Sequence, residues 1–274
     1  MTHASMERYF QGQALYGDDF DAAQIAAWYA DEAEGYADLG ARDQQRYQYA
    51  YHAWNHLHGF RHLPAGPLPN VLGFGSAYGD ELQPVLARTG AVTVVDPSEA
   101  FVRPDIDGVP CRYLRPEPSG DLSLGSNEFD LVTCLGVLHH IPNVSHVLGE
   151  LARVTRPGGH LLVREPIVSM GDWRHPRRGL TRRERGIPLA VMERIIHQCG
   201  LTVERRTLCD FPLTPRLLRP LVGQVFNSPL ATRLDALMSA AFGFNINYHP
   251  RTAWHRLRPI SAFFVLRKPA PSPR

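Results

Sequence analysis

The chain has 274 residues, 44% of them hydrophobic and 20% charged, with a formal net charge of +2. That is enough to bury one large core with an appended segment, and a composition this ordinary excludes disordered, collagenous and coiled-coil proteins. So small a charge gives no ground for nucleic-acid binding, and no apolar run reaches the roughly 18 residues a membrane span needs. Cys111, Cys134, Cys199 and Cys209 are dispersed without a C-x-x-C pair, which points to free thiols and a cytoplasmic setting. The opening MTHASMERYFQGQALYGDDF lacks the apolar centre of a signal peptide, so a soluble protein is expected.

Between 20 and 60, Ile25, Trp28, Tyr29, Ala33, Tyr36, Tyr47, Tyr51 and Trp54 recur at helical intervals and predict two or three amphipathic helices. HLPAGPLPN (62–70) then breaks the chain, which sets an N-terminal helical cap at 1–66 apart from a core at 67–208. Strand patterns follow at 69–73, 91–95, 111–114, 129–135, 160–165, 202–208 and 261–267, with helical patterns at 79–88, 98–103, 144–155 and 188–199. This alternation predicts an α/β fold, a parallel sheet covered on both faces. Residues 209–260 interrupt it with PRLLRPLVGQVF and PLATRLDALMSAAFGF, two amphipathic, proline-broken stretches that read as a helical insertion before the last strand and tail, 261–274.

VLGFGSAYGDEL (71–82) is an apolar run entering a glycine turn. Gly73, Gly75 and Gly79 fit a loose dinucleotide fingerprint, whereas Gly75, Ala77 and Gly79 fit a methyltransferase loop with one glycine replaced. Asp96, at the end of AVTVVD, is placed to accept from two ribose hydroxyls in either case.

The segment NEFDLVTCLGVLHHIPNVSHVLGELARVTRPGGHLLVREP (127–166) separates the two. With VLGFGSAYG and VVDPS before it, the chain from about 70 to 210 resembles class I S-adenosylmethionine-dependent methyltransferases, in particular the ubiquinone and small-molecule branch. The resemblance implies a Rossmann-like, seven-stranded, mostly parallel sheet with an antiparallel last strand, and S-adenosylmethionine as methyl donor with S-adenosylhomocysteine as product. It implies further that Gly75, Ala77 and Gly79 lie beside the methionine and ribose moieties, that Asp96 takes the ribose hydroxyls, and that Pro97 and Ser98 flank the adenine. Leu135 and Gly136 would border the sulfonium, and Tyr36 would reach the cofactor carboxylate. Two departures stand out. Gly73 occupies a position where the family commonly has an acid supporting the methionine end, so Asp80 or Glu81 must compensate, Asp80 being the candidate chosen. Ala77 replaces a glycine, which a methyl group tolerates at negative φ. The adenine-edge acid is left open between Glu117 and Asp121.

For methyl transfer to oxygen, a base is wanted; His140, after the fourth strand, and Glu165, ending the fifth, are the candidates. No H-x-x-x-H pattern or carboxylate ladder is present, so no metal is expected. GDWRHPRRGLTRRERG (171–186) gathers six arginines, read as a solvated basic surface or as a grip on an anionic acceptor. The reading is therefore a methyltransferase for a small-molecule or glycan acceptor, compatible with a homo-oligomer, with a non-catalytic cofactor-binding scaffold and a nicotinamide-dependent oxidoreductase as its alternatives.

Overall fold

The computed structural model describes residues 3–36 and 48–270. Its frame is a sheet of β1 (Leu68–Phe74), β2 (Thr89–Val95), β3 (Asp105–Ile106), β4 (Val109–Leu114), β5 (Phe129–Leu135), β6 (Thr155–Pro166), β7 (Thr202–Cys209) and β8 (Ser261–Arg267), in the order β3-β4-β2-β1-β5-β6-β8-β7. Strands β4, β2, β1, β5 and β6 are parallel, while β8 runs antiparallel between β6 and β7. Among the described residues there are thus eight strands where seven are predicted. The extra one, β3, is two residues folded back on β4, too short to leave a periodic signal.

The helices are α1 (His3–Phe10), α2 (Ala22–Tyr36), α3 (His52–His58), α4 (Gln83–Leu86), α5 (Val144–Val154), α6 (Leu189–Gln198), α7 (Leu213–Val222) and α8 (Pro229–Ala241). β5 is buried at all seven positions, as a strand covered on both faces should be. On one face α5 and α6 press Val147, Leu148, Leu151, Val191 and Ile195 into the core; on the other, Trp54, Leu82 and Val85 come from the α3 and α4 side.

Two predicted helices shrink. The pattern at 79–88 gives a 3-10 turn, Asp80–Leu82, and a single turn of α4, because the chain must already enter β2 at Thr89. The pattern at 98–103 gives only the turn Glu99–Phe101, capped by Ser98, since Pro104 turns the residue before it away from the helical region. Conversely α1 lies ahead of the first helical pattern; its Met6, Tyr9 and Phe10 pack with Trp173 and Tyr248 in a separate aromatic cluster. Because β8 is antiparallel, residues 210–260 leave β7 and enter β8 on one edge of the sheet, the edge at which β1, β2, β5 and β6 also end. Among the described residues no helix is long and apolar enough to cross a membrane.

Candidate active site

A crevice is built into this topology. The chain leaves β1 between two parallel neighbours, β2 and β5, the place where open parallel sheets take ligands. Gly75 turns there at φ +68° and Gly79 at +77°. A Cβ on Gly75 would stand 2.5 Å from Val137 Cγ2, and one on Gly79 would collide with Ile106, so both glycines are fixed by close approach as well as by φ. Ala77 departs from expectation: its φ is +48°, not negative. The strain, about 1 kcal/mol, is offset because its N–H donates to Asp96 Oδ2 at 3.1 Å and its carbonyl accepts from Tyr113 at 3.2 Å.

Asp96 thereby joins the β1 and β2 loops. Its Oδ1 accepts from the Ser98 N–H at 3.0 Å, leaving each carboxylate oxygen with further acceptor capacity. Burial raises its pKa above the ordinary carboxylate value, against the pull of the Ser98 and Ala77 amides. Pro97 is exposed beside it, and the Ser98 hydroxyl is spent on the Ala100 N–H.

Position 73 explains its own missing acid. A Cβ on Gly73 would lie 2.8 Å from Ser76 Cβ, so the space is taken by Ser76, which donates to Glu81 Oε1 at 2.7 Å. Thr133 of β5 donates to the same oxygen at 2.6 Å. Glu81 is buried, and burial raises its pKa, opposed by Thr133, Ser76 and the charge of Arg164. Asp80, the acid chosen from the sequence, instead faces Arg103 at 3.9 Å near the surface.

Arg164, a residue the sequence reading passed over, ends β6 as a buried cation. It donates to Asn55 Oδ1 at 2.6 Å and to the Leu135 carbonyl at 3.1 Å, and its guanidinium lies 4.5 Å from the Trp54 ring and 4.7 Å from the Tyr51 ring. A Cβ on Gly136 would stand 3.2 Å from it. Leu135, Gly136 and Arg164 thus share the mouth of β5 and β6.

Beyond β5 the chain makes the turn Leu138–His140. Glu165 is fully buried beneath it: Oε1 accepts from Val137 N at 2.8 Å and Leu138 N at 2.7 Å, while Oε2 accepts from His139 N at 3.3 Å and contacts His139 Nδ1 at 2.7 Å. Both oxygens are committed and the group has no exposure, so the structure makes Glu165 an anchor of the turn rather than an accessible base. Burial pushes its pKa up, but His139 and the amides outweigh this and hold it below the usual value. His139 is pushed below the ordinary imidazole range by burial and by His140. His140, the other candidate base, has a carboxylate partner from α2, its Nδ1 lying 3.1 Å from Glu32 Oε2. Glu32 Oε1 in turn accepts from the Thr181 hydroxyl at 2.6 Å. His139, His140 and Glu184 offer ligand atoms within 4.8 Å of one another, close enough to share a divalent cation, although no metal-ligand pattern marks them in the sequence.

The arginine run at 171–186 divides: Arg174, Arg178 and Arg182 are exposed, as a solvated basic surface would be, while Arg177, Arg183 and Arg185 are drawn into the fold. Arg185 is fully buried and donates to the carbonyls of Tyr16, Leu138, His139, Ile141 and Pro142 at 2.8–3.3 Å. Arg177 bonds the carbonyls of Met170, Thr181 and Arg182, and Arg183 pairs with Asp31 at 2.5 Å. The run ties α2 and the Leu138–His140 turn together. Tyr36 ends α2, and its side chain lies outside the described residues.

Residues 72–163 match the methyltransferase domain family. The ubiquinone biosynthesis O-methyltransferase of Proteus mirabilis is 30% identical over 89 residues, 30% of this chain and 36% of that protein, so the matched part spans little more than a third of this relative. Among solved structures, the cyclase SpnF has the same fold with a TM-score of 0.53 at 15% identity, over 92% of this chain and 98% of its own. A phosphoethanolamine N-methyltransferase of Haemonchus contortus, solved with phosphomonomethylethanolamine and S-adenosylhomocysteine, aligns with a TM-score of 0.50 at 16% identity, over 76% of this chain and 51% of its own.

Proposed function

From the premise that residues 72–163 form a class I methyltransferase domain, we propose that this chain is an S-adenosylmethionine-dependent methyltransferase acting on a small-molecule acceptor at oxygen. One observation carries the reading: a buried acid, Glu81, held by Thr133 of β5, and a buried cation, Arg164, held by the Leu135 carbonyl, are near enough for the charge of Arg164 to act on Glu81, at the same end of the parallel strands as the Asp96 carboxylate. An amino-acid zwitterion matches the first pair and a ribose diol matches the third group, and the cofactor carries both. The donor set therefore fits.

When bound, S-adenosylmethionine supplies an electrophilic methyl carbon on a cationic sulfur. The protein's share is alignment, because the departing thioether needs no proton. In this reading Glu81 accepts from the cofactor ammonium, Arg164 donates to its carboxylate with guanidinium N–H groups left over, and Asp96 accepts from the ribose hydroxyls. The backbone of Gly75, Ala77 and Gly79 would lie against the methionine and ribose, Leu135 and Gly136 would border the sulfur, Pro97 and Ser98 would flank the adenine, and Tyr36 is the residue proposed for the cofactor carboxylate beside Arg164.

A hydroxyl acceptor must also lose its proton. His140, oriented by Glu32, is suited to take it, as a base held by a third group usually is. Asp210, at the end of β7, is a second acceptor: burial, with the nearby Asp235, pushes its carboxyl up to about 7. It lines a cavity of about 480 Å³ with Pro212, Pro215, Arg216, Arg219 and Ile260, on the sheet edge where the cofactor would sit. Residues 209–260 would then form a substrate lid and the N-terminal helices a cap on the other flank. The Proteus relative's name supports oxygen as the atom methylated.

A second reading, a fold that binds the cofactor without methyl transfer, is favoured by one fact: SpnF, which shares the fold, is a cyclase, and fold does not dictate chemistry. Calorimetry with S-adenosylhomocysteine, adenosine and a nicotinamide nucleotide tests both. Expected is tight S-adenosylhomocysteine binding that Glu81→Gln weakens while leaving adenosine affinity unchanged. Preference for the nicotinamide would refute the cofactor assignment; S-adenosylhomocysteine binding without turnover on phenolic or sugar hydroxyls would favour the second reading.

A further inference from the structure

Helix α8 is inside out. Its buried side carries Ala231, Thr232, Asp235 and Ser239, whereas Leu230, Leu234 and Leu237, spaced i, i+4 and i+7, form an exposed stripe. The polar interior has a purpose: Asp235 accepts from the Asp210 and Phe211 amides at 2.8 Å each and so fixes the start of α7. The three leucines outside are exposed. Leu230 is 78% exposed and Leu237 66%, and on the adjoining α7 Leu217 and Leu221 stand at 66% and 79%. Farther along the same segment Phe244 and Trp254 are also exposed, at 76% and 54%. Of the eleven large hydrophobic side chains exposed among the described residues, eight lie between 217 and 254.

Charge completes the pattern. Residues 211–260 contain Arg216, Arg219, Arg233, Arg251, Arg256 and Arg258 against a single acid, the buried Asp235, although the whole chain is only +2. The remainder of the chain is therefore net negative; Arg216, Arg219 and Arg233 lie on α7 and α8 with the leucines, whereas Arg258 is buried and Arg251 pairs with Glu7. Among the described residues the exposed Arg216, Arg219 and Arg233 pair with no acid.

We infer that the outer face of α7 and α8 docks on an anionic lipid surface. Leucines and aromatics entering the headgroup boundary while arginines meet anionic headgroups is the pattern of an interfacial helix, and no membrane span is required for it. A second copy of the chain fits less well, because a two-fold interface would set the arginine-rich patch against itself. Docking would place the cavity beside α7, whose wall includes Arg216 and Arg219, next to the bilayer.

Co-sedimentation of the full chain with vesicles tests this without any cofactor, so its outcome is separable from that of the methyltransferase reading. The chain should bind vesicles of about one third phosphatidylglycerol in phosphatidylcholine, release as salt rises, and leave pure phosphatidylcholine vesicles unbound. Each of Arg216→Gln, Arg219→Gln and Arg233→Gln should lower partitioning about fivefold. Leu230→Ser with Leu237→Ser should lower it at least about tenfold, and circular dichroism should stay unchanged because both sites are exposed. Equal binding by the leucine variant, or no binding to either vesicle, would overturn the inference. A dimer in solution that the leucine variant dissociates would assign the face to a second copy and overturn it equally.

Discussion

Arg185→Met removes the guanidinium that ties the arginine-rich loop to the turn beside the candidate site. Five carbonyls, those of Tyr16, Leu138, His139, Ile141 and Pro142, lose their donor where water has no access. Hydrogen bonds from a charged donor contribute roughly 1.5–3 kcal/mol each. Against this, burial lowers the Arg185 pKa to about 10, a desolvation cost of about 3 kcal/mol that methionine avoids. The balance stays unfavourable to the variant by at least about 4 kcal/mol, in line with other cases of a buried polar network losing one member. In urea this moves the unfolding midpoint down by roughly 1–2 M. Arg182→Met is the control: Arg182 is 78% exposed on the same loop and its loss should change stability by no more than about 0.5 kcal/mol. If Arg185→Met costs less than about 1 kcal/mol, the carbonyls have found water and the loop is not held as described.

Asp96→Ala should weaken S-adenosylhomocysteine binding by about 1–3 kcal/mol in calorimetry, and should also lower the thermal midpoint because the Ala77 and Ser98 amides lose their acceptor; unchanged affinity would remove Asp96 from the site. Glu165 has a depressed pKa, so its stabilising effect is present above its unfolded value near 4.5 and is lost as pH falls through the lower folded value. Urea midpoints of Glu165→Gln should accordingly lie below those of the parent at pH 7, with the gap closing in acid. Asp210 has the opposite sign. Its carboxyl is raised from 3.8 to about 7, so the folded chain binds more protons and loses stability as pH rises between those values, at up to about 1.4 kcal/mol per pH unit. Asp210→Asn should be more stable than the parent at pH 8 and similar at pH 4, and parallel stability curves would contradict the assigned environment.

Legibility in the sequence followed the range of the interaction. Strands β1, β2, β5 and β6 were readable because each is a short apolar run bounded by turn residues, and the glycines at 75 and 79 because a sharp turn at positive φ admits little else. The place of Asp96, just past the end of a strand, was readable for the same reason; its part in holding a ribose belongs to the proposal. None of these needs knowledge of distant residues. Glu81 and Arg164 needed it: one is defined by Thr133, 52 residues away, and the other by Asn55, 109 residues away. The same holds for Glu165, whose place at a strand end resembles that of a base until the turn folded over it uses both oxygens. Arg185 looks like its exposed neighbours in composition and differs only in what surrounds it. Local sterics and hydrophobic periodicity act within a few residues and so are written in the order of the amino acids; burial, partner and solvent access are properties of segments brought together from afar, and they settle which charges here are structural and which face the crevice.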